Sequence, residues 1–219
     1  MTTFPRSPRV LKGGLVLLDP VSGALQRLIV LQYNPDTVTR TLQVQGAGGE
    51  SGDRSEALRL KGPPVETIKL DAEIDAADQL EKPDSNQVVA SLGLQPHLAA
   101  LETIIYPTSA HLRQAESMAS SGAIEIAPAE SPLTVFVWSR NRVVPVRITD
   151  FSITEEAFDP QLNPTRAKVS LGMRVLSSND LMPGHPGASM FAAYHQQKEA
   201  LAAAWAGGLA SALGVARFQ

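Results

Sequence analysis

Near the C-terminal end of the chain, Thr165–Ser177 alternates without a break. Ala167, Val169, Leu171, Met173 and Val175 fall on one face, and Arg166, Lys168, Ser170, Gly172 and Arg174 on the other. A period of two held this long excludes a helix and describes a half-buried antiparallel strand with one wet, basic face. Such a strand needs long neighbours, and the residues before it supply them. Leu133–Ser139 is an apolar run, Arg140-Asn141-Arg142 a tight turn and Val143–Thr154 a second long strand, with a connector from Glu155 to Pro164 leading into the alternating one.

The middle strand changes phase. Val144, Val146 and Ile148 share one parity, whereas Phe151 and Ile153 take the other. One inserted residue near Thr149-Asp150 reconciles the two halves, so a β-bulge is predicted there; it bends the strand while keeping both halves against one core. Long, bent strands suit small barrels and tightly coiled sandwiches.

Upstream, Gly14–Leu18 and Arg27–Tyr33 read as two strands around the turn Asp19–Gly23, and Thr37–Gln45 as a third with a polar side. Gly46–Ser55 is loop-like and lacks the Gly-Lys-Ser/Thr ending of a phosphate cradle. Val65–Asp75 alternates again, with Ile68, Leu70, Ala72 and Ile74 inward and Asp71, Glu73 and Asp75 outward. Those carboxylates, about 7 Å apart along the strand, could serve a cation, general acid/base chemistry or an acidic lumen wall, but a solvated strand face is the favoured reading. Asp84–Ser120 is the helical section: Leu94, Leu98, Leu101 and Ile105 mark one face, and Pro107 breaks it before a further turn or two, Ser109–Ala119. Ala123–Ala127 reads as a short strand. After the hinge Met182–Gly187, residues from Ala188 to about Ala206 favour a helix, with Met190, Tyr194, Leu201 and Trp205 on one stripe. It is either a loosely attached helix or a docking helix whose Tyr194, Leu201 and Trp205 face needs a partner. Residues 1–181 are therefore expected to form one β domain, and 182–219 a hinge and helical extension.

Composition narrows the function. With 219 residues, 43% of them hydrophobic, the chain can bury a proper core, and a net charge of −3 gives no electrostatic basis for nucleic-acid binding. There is no cysteine, hence no disulfide or thiolate metal site. No apolar run reaches a membrane span or a secretory signal, so synthesis in the cytoplasm, without membrane insertion, is expected. His97, His111, His185 and His195 are scattered, and neither an H-E-x-x-H helix nor a G-x-S-x-G elbow occurs. Glu155, Glu156 and Asp159 cluster in the connector, a pattern compatible with calcium, though Asp159 is better placed to close the turn by accepting backbone N–H bonds. No catalysis, cofactor or metal is expected.

Two motifs carry a resemblance. Phe158-Asp159-Pro160, with Asn163, Pro164, Arg166, Ala167 and Val169 following, sits between two long strands; Gln32-Tyr33-Asn34-Pro35 closes an early strand and is followed by Arg40. In that order and separation they resemble the tube-type proteins of contractile injection systems and phage tails, and more specifically the adaptor joining the inner tube to the spike hub in the baseplate. The resemblance spans roughly Leu15 to Leu181. It implies a mainly β, α+β fold, a tail-tube-like antiparallel β-barrel or sandwich with one packed amphipathic helix and a C-terminal helix. It further implies a ring of copies of this chain, sixfold as in the family, with the inner tube protein, the spike or hub protein and other baseplate subunits as partners, in a particle assembled in the cytoplasm or released from the cell. Tyr33, Asn34, Pro35, Phe158, Asp159, Pro160, Asn163, Pro164 and Arg166 become assembly or structural residues, with Arg166 an ion-pair partner for Asp159 or a neighbouring subunit. Many relatives carry a LysM module at the C-terminus, and no such module is seen here, which removes cell-wall binding from the implied functions. The alternative is a stand-alone β-barrel module for a small ligand or glycan, disfavoured by an aromatic content of 5%.

Overall fold

The computed structural model describes residues 11–46, 58–122, 130–205 and 207. Among them seven strands form one antiparallel sheet: β1 (Gly14–Leu18), β2 (Leu25–Val30), β3 (Val38–Gln43), β4 (Val65–Asp75), β5 (Leu133–Ser139), β6 (Arg142–Phe158) and β7 (Pro164–Val175), in the spatial order β2-β1-β5-β6-β7-β4-β3. Helices α1 (Ala77–Leu80), α2 (Gln87–Leu92), α3 (Gln95–Glu102) and α4 (Ser109–Ser120) fall between β4 and β5, and α5 (Pro186–Ala203) follows β7. The protein is mainly β with packed helices, as its alternating segments predict.

Of the expected barrel or sandwich, the barrel is not closed: the strands form one open sheet. β2 and β3, at its two ends, each pair with one neighbour, β1 and β4 respectively. The sheet nevertheless curls. Gln32, just past β2, hydrogen-bonds the backbone of Asp75 at the end of β4, and Leu15, Leu17 and Leu31 share one buried cluster with Ile68, Leu70, Val169 and Leu171. Helix α3 packs beside β2: Leu98 and Leu101 are buried in the same cluster, and Arg27 of β2 donates to Ala100 O (3.1 Å) and Thr103 Oγ1 (2.7 Å).

β5 shows why its sequence is a continuous apolar run. Phe136 faces the main core, while Leu133 and Val135 join Leu18 in a second cluster against which Met190 of α5 packs. A strand covered on both faces has no polar parity. The bulge falls where the phase change predicts it: the β6–β7 register shifts between Ile148 and Asp150. Beyond it Phe151 and Ile153 return to the core. Asp150 lies over Gly172, where an added Cβ would come within 2.6 Å of its carboxylate.

Several boundaries differ from the sequence reading. β6 continues to Phe158 through two further register irregularities, so Glu155–Phe158 belong to a strand rather than to the connector. β2 stops at Val30, leaving Gln32-Tyr33-Asn34-Pro35 beyond the strand. The helical section is split at Gly93 (φ 57°) and again after Glu102, so Ile104, not Ile105, completes the buried face of Leu94, Leu98 and Leu101. Residues 47–55 of the glycine-rich loop and the strand expected at Ala123–Ala127 lie outside the described residues.

Candidate assembly site

The two motifs that carry the resemblance meet at one residue, Asp75. Gln32 Nε2 donates to Asp75 O (2.6 Å), and Gln32 Oε1 accepts from Asp75 N (2.9 Å). From the other motif, Arg166 donates through Nε (2.8 Å) and Nη2 (2.7 Å) to Asp75 Oδ2. The second carboxylate oxygen accepts from Ala77 N (2.7 Å), and Ala76 N donates to Thr165 O (2.9 Å). The Ala77 N–H, with Arg166 adding to it against the opposing effect of burial, holds the Asp75 carboxyl below its ordinary range. Arg166 is thus paired with Asp75 rather than with Asp159, because the β4–β7 register sets those two positions opposite one another.

Asn34 works locally. Its Oδ1 accepts from Gly13 N (2.9 Å) and its Nδ2 donates to Leu11 O (2.8 Å), while Lys12 Nζ donates to Gln32 O (2.8 Å). The asparagine ties the approach to β1 onto the exit from β2, and Pro35, lacking a backbone donor, turns the chain away toward β3. Tyr33 is left exposed at this corner.

The connector is a rigid turn closed by Asp159, as its sequence predicts. Asp159 Oδ1 accepts from Gln161 N and Asn163 N, and Oδ2 from Asn163 Nδ2, all at 2.8 Å. These donors, the Asn163 side chain foremost, lower the Asp159 pKa. Pro160, which follows the closing aspartate directly, has its φ fixed by its ring, and Leu162 adopts φ 64°, the left-handed region that an L side chain enters at a cost of roughly 1–2 kcal/mol. Behind the turn, Pro164 O accepts from Leu94 N (2.7 Å) and Asn163 Nδ2 donates to Ser91 O (3.2 Å), docking the connector on the α2–α3 corner. Only glycine fits at that corner, since a Cβ on Gly93 would collide with Pro164 O. Phe158 and Leu162 remain 51% and 77% exposed, so a braced turn presents two apolar side chains to solvent.

The wet face of β7 is basic, as its alternation predicts, and carboxylates from other segments balance it. Lys168 stands opposite Glu73 and is paired with Glu156 (2.8 Å), Arg174 is paired with Asp180 (2.6 Å), and Ser170 Oγ donates to Asp71. The β4 carboxylates thus oppose or bond the β7 side chains. Among the described residues no cluster of three or more His, Asp or Glu is arranged to hold a metal ion.

One charged residue escapes the sequence reading. Glu66 shares the inward parity of Ile68 and Leu70 and is 3% exposed. Its carboxylate is held by Arg40 of β3 (2.7 Å) and by Tyr194 Oη (3.0 Å) and Lys198 Nζ (2.8 Å) of α5. Parity alone could have flagged it. Tyr194 is therefore turned into the body of its own subunit, whereas Leu201 and Trp205 are 47% and 76% exposed at the far end of the helix. The three residues of the expected docking face do not act together.

Exposed apolar side chains also mark both sheet ends. Leu25, Leu28 and Val30 are exposed on β2, and Leu42 and Val44 on or just past β3. Between β2, β4 and α3 lies a cavity of about 400 Å³ lined by Leu28, Ile74, Leu101 and Leu171, with Lys12, Glu73 and His97 among its polar residues and no Phe, Tyr or Trp.

Among the described residues no helix is long and apolar enough to cross a membrane. No protein-family model matches the chain, and no curated protein matches it in sequence. Among solved structures, a chain from the tail of an empty GTA particle, determined by helical refinement with C6 symmetry, is 12% identical over 74% of this chain and 90% of its own, with a TM-score of 0.29. At that score the likeness assigns neither fold nor role.

Proposed function

We propose that this chain is a non-catalytic structural subunit of a phage-tail-like particle, and within that class a tube-type ring subunit connecting the inner tube to the spike hub of a contractile injection system baseplate. The observation that carries the reading is the open sheet, whose end strands β2 and β3 each have one free edge and carry exposed apolar side chains, Leu25, Leu28 and Val30 on one and Leu42 on the other. Exposed apolar edges are an aggregation hazard for a monomer and a joint for an assembly. Because β2 and β3 are different surfaces, joining them is head-to-tail, and a head-to-tail contact closes into a ring when its rotation permits. The resemblance implies six copies. The Asp75 junction supports the same reading, since it joins the two motifs that carry the resemblance in one corner.

The stand-alone ligand or glycan module draws on the cavity beside β2. That cavity has no Trp or Tyr in its lining, the side chains on which sugar platforms depend.

Expression of the chain alone and together with an inner tube protein and a spike hub protein from the same genome, followed by mass measurement of the purified species, tests the function. A multimer of this chain bound to at least one of those proteins is the expected result. A lone monomer that binds neither would overturn it.

A further inference from the structure

Glu66 joins three elements that are far apart in sequence. It sits on β4, takes Arg40 from β3, and takes Tyr194 and Lys198 from α5. The set is closed: Tyr194 Oη donates to Glu66 Oε1 (3.0 Å) and accepts from Arg40 Nη2 (3.2 Å), while Lys198 Nζ bonds Glu66 Oε2 (2.8 Å) and lies 4.1 Å from the Tyr194 ring centroid. A buried carboxylate needs this whole shell, because a donor withdrawn leaves charge in a region that water does not reach.

β3 has few other contacts to hold it. Its backbone is bonded on one side only, to β4, and none of its side chains is fully buried. Val38 packs partly against the core, and Arg40, reaching diagonally to Glu66, is its polar anchor. The acid that receives Arg40 is completed from the other side by α5.

We infer that α5 is a latch that holds the free edge strand β3 in order through Glu66, so that docking or release of the C-terminal helix sets how well that edge can receive another strand. The coupling is internal to one subunit; its meaning for assembly rests on the ring reading above. Binding energy linking two elements through one acid is reciprocal, so ordering β3 from outside also tightens α5.

Backbone deuterium exchange on the isolated full chain separates the two ideas, since it needs no assembly. The test compares wild type with Tyr194→Phe/Lys198→Met, which removes the hydroxyl and the ammonium and keeps most of the packing. Exchange over residues 38–43 is expected to rise about tenfold while residues 133–139 keep their wild-type protection. In the reverse direction, Arg40→Met should raise exchange over residues 191–198. Unchanged exchange in β3, or an equal rise across β5, would overturn the latch by making the helix a mere neighbour or a general part of the core. Should the double variant fail to fold, Tyr194→Phe alone decides the matter on the same two segments with a smaller rise. A confirmed latch in a chain that never forms a ring would refute the assembly reading and leave the coupling intact.

Discussion

Glu66 is a carboxylate that burial pushes toward the neutral form but that Lys198 and Arg40 outweigh, so its pKa lies below the ordinary value. A carboxyl with a depressed folded-state pKa contributes stability above its unfolded pKa of about 4.3 and loses it as pH falls through the folded value. The melting temperature of wild type should therefore exceed that of Glu66→Gln at neutral pH, and the gap should shrink on acidification below about pH 4. A gap constant down to pH 3, roughly a unit below that pKa, would mean that folding does not lower the Glu66 pKa. Leu162 makes a prediction of mixed sign. Leu162→Gly relieves the left-handed backbone and should raise subunit stability by about 0.5–1 kcal/mol in chemical denaturation. The same change removes a side chain 77% exposed on a braced turn, and should weaken assembly measured by sedimentation. Single-residue legibility followed the range of the interaction. Asp159 was readable because its donors, Gln161 and Asn163, lie within four residues of it. The pairing of Arg166 with Asp75 spans 91 residues and that of Glu66 with Lys198 spans 132, and both depend on register that composition does not encode.

The elements were read best where periodicity was strict. β4 and the bulge in β6 stand where the alternation and its phase slip put them, since a half-buried strand has no freedom to shift by one residue. The helices were read less well. Gly93 divides what looks like one amphipathic run because the corner must admit Pro164 O, a contact invisible in local sequence. Gly93→Ala should cost about 2–3 kcal/mol in denaturant titration, since it adds both a left-handed alanine and a clash with the connector. A cost no larger than that of an exposed substitution would mean that the α2–α3 corner does not brace the turn. α5 was expected as an extension, and in the structure Tyr194 lies in the main core and Met190 on the second cluster. Truncation after Pro186 should accordingly destabilise the chain by about 3–5 kcal/mol, the range for stripping partners from a buried charge. Unchanged stability would return the helix to the status of a loose appendage.

At the scale of the whole molecule, the resemblance implied a barrel or sandwich, and the fold is an open, curled sheet with α3 beside β2. Closure was not legible because alternation fixes which face of a strand is buried but not which strands are neighbours at the ends. β2 and β3 are consequently the surfaces on which the functional account stands. Leu28→Lys on β2 should leave the melting temperature of the subunit within about 2 °C, a change of roughly 0.5 kcal/mol for an exposed site, and abolish ring formation. The most direct measurement of the central claim compares backbone deuterium exchange in the free subunit and in the assembled particle. The account predicts that assembly protects residues 25–30 and 38–43 together, as the edge of one copy pairs with the opposite edge of the next. Assembly that leaves either edge exchanging at its free rate would contradict it.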